Sequence, residues 1–194
     1  MQDRSTREHI VEAADRLFYR QGYERTSFAH IAEAVRISRG NFYHHFKTKD
    51  EILDAVLGAR LADTQNLLDR WEAESEDPAE CIGRFIDMLL TNKADIQRYG
   101  CPVGTLCSEL SKLGHAARPE AAVLFELFRT WLRAQFAQVG RRADADALAL
   151  HLLARSQGVD TLASALGDER LIRHEVGLMH DWLRACISGA QPQP

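Results

Sequence analysis

The chain has 194 residues, 45% of them hydrophobic, enough to bury a real core and to form one or two domains. No apolar run approaches the roughly 18 residues of a membrane span, and the polar start MQDRSTREHI has no signal-peptide core, so a cytoplasmic protein with no membrane partner is expected. The net charge of −4 divides into +1 over residues 1–60 and −5 over 61–194, and the four cysteines are too few and scattered for a disulfide scaffold.

Five prolines, dispersed glycines and the absence of alternating β-branched runs predict an all-α protein. Ser5 or Thr6 caps a first helix that carries Ile10, Ala14, Leu17 and Phe18 on one face, and Gly22 ends it. Two short periodic segments follow. The first, opened by Thr26 or Ser27, sets Phe28, Ile31, Ala32 and Val35 at i, i+3, i+4 and i+7. The second opens at Ser38 and turns Phe42 and Phe46 inward, which leaves Arg39, Asn41, Tyr43 and His44 facing outward. Two short helices crossing at a turn, with basic, amide and aromatic groups outside the second, describe a helix-turn-helix that reads duplex DNA. Thr48 then caps a long helix reaching Trp71, with Ile52, Leu53, Val56, Leu57, Leu61 and Leu68 as its apolar positions.

The acidic run from Glu72 to Asp77, followed by Pro78, predicts the break between domains. Beyond it a helix over 79–97 carries Ile82, Phe85, Ile86, Leu89 and Leu90. Gly100-Cys101-Pro102 interrupts. Helices are then predicted over 105–113, 119–139, 144–166 and 168–187, with a turn at Gly140-Arg141-Arg142 and a frayed tail over 189–194. The domains expected are 1–48 for DNA binding, with 49–71 as a linking helix, and a second helical domain over 78–188.

Several of these residues occur together in a known pattern. Tyr19, Gly22, Tyr23 and Thr26 are followed by Ile31-Ala32, Ser38-Arg39-Gly40, Phe42-Tyr43-His44-His45-Phe46, Lys47, Lys49 and Glu51. Over residues 5–60 the chain resembles the N-terminal domain of tetracycline-repressor-type (TetR family) regulators. One departure stands out: most members carry glycine where this chain has Arg36, so Arg36 either adopts a left-handed conformation, at about 1–2 kcal/mol, or the turn is reshaped.

The resemblance implies a DNA-binding transcriptional regulator, a repressor released from its operator by a small molecule. On the reading helix Arg39 pairs with guanine or a phosphate, and Asn41 reads adenine or serves near the helix start. Gly40 allows close approach to the duplex. Tyr43 and His44 match family positions that contact the backbone or thymine methyls. Thr26 and Ser27 offer hydroxyl and N–H groups to a phosphate, and Lys49 contacts another. The weakly basic N-terminal third suits a protein that relies on a few placed contacts and two copies of its reading head.

For the C-terminal half the resemblance implies dimerisation through the last two helices and a small-molecule pocket. The residues allow both. Apolar and small side chains on 144–187 form a stripe too wide for one neighbour, which a symmetric homodimer buries and an intramolecular core is the alternative for. The partner DNA is then a palindromic operator. Phe85, Leu89, Cys101, Phe125, Phe128 and Trp131 either line the pocket or fill the core. Cys101 belongs to a segment, Arg98 to Leu110, that resembles a subset in which the cysteine after the glycine senses electrophiles or oxidants. Its place before a helix start, near Arg98, favours thiolate, and a buried space-filling cysteine is the other reading.

No catalytic constellation, phosphate loop or metal-ligand spacing appears, so no enzyme activity, cofactor or metal is expected. The competing readings are a small all-helical redox protein or enzyme using Cys101, and a helical scaffold that binds no DNA.

Overall fold

The computed structural model describes residues 5–188, apart from the side chains of Arg39 and Glu169. The tail expected to fray lies outside the described residues. All regular structure among them is helical: α1 Thr6–Gln21, α2 Phe28–Val35, α3 Arg39–His45, α4 Lys49–Glu74, α5 Pro78–Thr91, α6 Lys93–Tyr99, α7 Pro102–Leu113, α8 Arg118–Phe136, a wide-turn stretch Ala137–Arg141, α9 Ala145–Leu166 and α10 Glu169–Ile187.

Local chemistry sets most of these boundaries. Ser5 caps α1 and forms a reciprocal box with Glu8. Ser27 and Ser38 cap α2 and α3, and the Thr48 hydroxyl accepts from the Glu51 amide at the start of α4. Asp77 caps α5, with Pro78 in the first turn. One expected helix is two. The segment 79–97 breaks at Asn92, whose amide N–H and side-chain Nδ2 both donate to the Met88 carbonyl, at 3.0 and 2.9 Å. The apolar period runs on through Ile96 and conceals the break, because α6 keeps that residue buried on its own. Pro102 moves the start of α7 three residues earlier than expected.

The helices pack as two compact units. Of their described residues, the first holds 5–64 and 102–124, the second 65–101 and 125–188. In the first unit Ile10, Ala14 and Phe18 of α1, Ile31 of α2, Phe42 of α3, then Phe46, and Ile52, Leu53 and Val56 of α4 form one buried cluster. Leu106 and Leu110 of α7 and Ala121 and Leu124 of α8 belong to that same cluster. Packing therefore cuts the chain differently from the expected 1–48, 49–71 and 78–188. The chain does turn at the acidic run, but the apolar face of α7 is satisfied against α1, and burying a Leu or Phe there contributes about 1.5–3 kcal/mol each.

The second unit has its own core. Ile82, Phe85, Ile86 and Leu89 of α5 meet Phe128, Leu132 and Phe136 of α8, Leu152 and Val159 of α9, and Ile172, Val176 and Met179 of α10. α10 packs along α5, and α6 along α9. Gln97 donates to the Gly167 carbonyl at 2.5 Å, fixing α6 to the end of α9.

Candidate functional site

The turn between α2 and α3 is the part the sequence left open. Arg36 closes α2 in the left-handed region, at φ 60° and ψ 41°, and is the one non-glycine residue with positive φ among those described. Its N–H bonds back to Glu33, and that of Ile37 to Ala32, so the usual left-handed helix ending forms without glycine. The arginine accepts the strain; the turn is not reshaped.

α3 is anchored from below and open above. Phe42 and Phe46 are buried, and the Phe28 ring meets Phe42 edge-on at 5.1 Å and Tyr43 at 5.5 Å. Phe28 thus fixes the direction of Tyr43, which stays 47% exposed. Asn41 and His44 are exposed beside it. A Cβ on Gly40 would meet nothing within 4 Å, so that side of α3 is clear. Ser27 is exposed, its oxygen accepting the His30 amide at 3.2 Å. The Arg39 side chain lies outside the described residues.

Two expected contacts are already committed elsewhere. Thr26 is 1% exposed. Its hydroxyl donates to the Gly22 carbonyl at 2.7 Å and accepts from Gln21, while its N–H donates to the Tyr23 carbonyl. That residue locks the turn and offers neither group to a phosphate. Lys49 is half-buried, with its ammonium 4.1 Å from the Tyr23 ring centre and donating to the Tyr23 and Glu24 carbonyls at 3.1 and 3.4 Å. It holds the α1–α2 turn onto the start of α4.

The same turn is tied to α7, which the sequence reading did not foresee. The Glu109 carboxylate accepts the N–H groups of Tyr23 and Glu24 at 2.8 and 2.9 Å. A Cβ on Gly22, at φ 91°, would stand 2.9 Å from that carboxylate, so both the backbone conformation and the close approach require glycine. Tyr23 donates to Asp50 at 2.5 Å, and His115 Nε2 lies 3.2 Å from the phenol oxygen. Burial, then the bond to Asp50, pushes the Tyr23 phenol above its ordinary range, and that bond lowers the Asp50 carboxyl. Nothing in the local pattern of α7 signals this contact.

Residues 10–56 match the model of the "Bacterial regulatory proteins, tetR family". That segment is a tetR-family DNA-binding domain. It is similar to an uncharacterized HTH-type transcriptional regulator in the lacX 3′ region of Lactococcus lactis subsp. lactis, at 33% identity over 63% of each chain. It is also similar to the HTH-type transcriptional regulator TtgR of Pseudomonas putida, at 42% identity over 44% of this chain and 40% of that one. The match thus spans less than two thirds of these relatives. A crystal structure of a TetR transcriptional regulator from Legionella pneumophila superposes with a TM-score of 0.82, at 26% identity over 93% of this chain and 98% of that one.

The residues expected to line a pocket fall in the second unit. Phe85, Leu89, Phe128 and Trp131 are buried in its core and Phe125 packs against it. Phe85 and Phe128 meet edge-on at 5.6 Å, and Trp71 and Trp131 lie 5.7 Å apart. A cavity of about 470 Å³ opens in this unit between α4 and α5, lined by Leu67, Trp71, Arg84, Asp87, Met88, Thr91 and Asn92; none of the six expected lining residues borders it. Cys101 is half-buried and stands before the first residue of α7 as expected. Its sulfur accepts from Gln157 Nε2 at 3.4 Å, and its thiol hydrogen-bonds the Asp160 carboxyl. The Arg98 guanidinium lies over the Tyr99 ring at 5.3 Å.

Proposed function

We propose that this chain is a ligand-responsive transcriptional regulator, a repressor, which grips a palindromic operator as a homodimer and releases it when a small molecule binds. The observation that carries the reading is the outer face of α3. Gly40, Asn41, Tyr43 and His44 stand together on a short helix whose inner side is locked by Phe42. Such a face enters the major groove by its N-terminal end, where Arg39 takes guanine or a phosphate and Asn41 takes adenine. Ser27 and the α2 start contact a phosphate. The chain acts as a transcription factor, without catalysis.

Dimerisation rests on α9 and α10. Ala147, Leu150, Ala154, Gly158, Leu162, Ala165 and Leu166 form an exposed stripe along α9, and Gly177, Leu178 and Ile187 extend one on α10. A second copy of the same pair is the natural cover. The effector occupies the core around Phe85, Leu89, Phe125, Phe128 and Trp131, next to Cys101. Effector binding favours a spacing of the two reading heads that no longer matches successive major grooves, about 34 Å apart. α7 begins one residue after Cys101, and Glu109 on it holds the turn before α2. The test is an electrophoretic shift with DNA flanking the protein's own gene. A slow, competitor-resistant band at nanomolar protein supports the reading; no shift at micromolar protein removes it.

A further inference from the structure

The reading head has few cations to set against a duplex. Residues 1–60 carry a net charge of only +1, and the Lys49 ammonium is taken by the α1–α2 turn. Arg7, in the first turn of α1, is exposed, and its guanidinium lies over the Phe46 ring, 4.8 Å from the centre. Phe46 is buried and is the residue that ends α3. Attraction between the ring face and the planar cation therefore seats the Arg7 charge at the last turn of the reading helix. Other basic groups stand at that end. The Lys47 ammonium donates to the Tyr43 carbonyl and keeps further N–H groups in hand, and His44 is exposed. Glu51 turns its carboxylate to the Lys47 amide at 2.7 Å. No ion pair of Arg7 occurs among the described residues.

We infer that Arg7, seated on Phe46, grips a backbone phosphate at the lip of the major groove while the first turn of α3 reads bases. This rests on the DNA-binding reading above. The dimensions agree with it. α3 has 7 residues, which makes it about 10 Å long, and the groove is about 8.5 Å deep. A helix that enters by its N-terminal end thus leaves its last turn level with the phosphates, where Arg7 and Lys47 stand. The guanidinium fork can donate two parallel N–H bonds to a phosphate while its face stays on the ring. Such a contact fixes the register of the head on the duplex and carries no sequence information.

The test is fluorescence anisotropy of the full-length protein on the DNA upstream of its own gene and on a scrambled duplex, from about 50 to 200 mM salt. Arg7→Ala weakens both complexes by a similar factor and cuts the slope of log affinity against log salt by about 0.9 for each reading head bound. Arg7→Lys keeps the charge and restores most of that slope. Lys49→Ala leaves the slope unchanged and lowers the urea midpoint instead, because its ammonium serves the turn. An unchanged slope in Arg7→Ala, whatever its urea midpoint, reduces Arg7 to a packing residue and overturns the inference. A loss confined to the upstream DNA also overturns it, since that marks a base reader. If the wild type binds DNA and Arg7→Ala keeps the slope, this inference falls alone; if the wild type binds neither duplex, the regulatory reading falls with it.

Discussion

Replacing Asp160 by asparagine changes how stability depends on pH, and the size follows from the structure. Burial raises the Asp160 carboxyl to about 6, while the Cys101 hydrogen bond pulls the other way. In the unfolded chain an aspartate titrates near 3.9. Between these two values the folded protein holds more protons than the unfolded chain, so stability falls as pH rises from about 4 to 6. A difference of about two pKa units corresponds to about 3 kcal/mol, absent below pH 4 and fully present above pH 7. Asparagine cannot ionise and carries no such slope. Its amide N–H₂ adds an unanswered donor, but that offset is the same at every pH. The assay is urea unfolding of both proteins from pH 4 to 8 at one protomer concentration, because the proposed dimer would couple to stability. Stability of the variant minus that of the wild type should climb by about 3 kcal/mol across the window. Parallel curves would show that Asp160 is solvated or paired, and would refute the argument.

Three other substitutions test other parts of the account. Leu162, 52% exposed on α9, is replaced by Glu: sedimentation should show monomers that lose operator affinity, and a dimeric variant counts against the α9–α10 seam. Arg36→Gly relieves the left-handed strain and should raise unfolding free energy by about 1 kcal/mol, whereas a loss of stability would mean the arginine side chain contributes more than its backbone costs. Glu109→Ala leaves the Tyr23 and Glu24 amides without their acceptor and should cost about 1–3 kcal/mol; an unchanged urea midpoint would show that α7 does not hold the turn.

Much of this fold is written in local chemistry, and those parts were legible. Ser5, Ser27, Ser38 and Gly22 act at helix ends through bonds to residues three or four positions away, so sequence spacing reveals them. The strain at Arg36 follows from one residue type at one turn position. What depends on distant partners was not legible. Thr26 and Lys49 carry groups suited to phosphate, yet the turn they sit in consumes those groups internally. Glu109 reaches the Tyr23 amide from 86 residues away, and nothing in the local pattern of α7 signals it. Asn92 breaks a helix whose apolar period continues. Asp160 was within reach: Ser156, Val159, Asp160 and Ala163 share one helical face, and a carboxylate among those small and apolar residues marks a buried charge.

The central claim is that the outer face of α3 reads base sequence. The most direct test is fluorescence anisotropy with the DNA upstream of the protein's own gene and a scrambled duplex of equal length, comparing wild type with Tyr43→Ala at fixed salt. The account predicts wild-type binding to the upstream DNA about 10³-fold or more tighter than to the scrambled duplex. Tyr43→Ala should weaken the specific complex by about 1–3 kcal/mol and leave the scrambled one almost unchanged. Equal affinity of the wild type for both duplexes, or a variant indistinguishable from it on the upstream DNA, would contradict the claim.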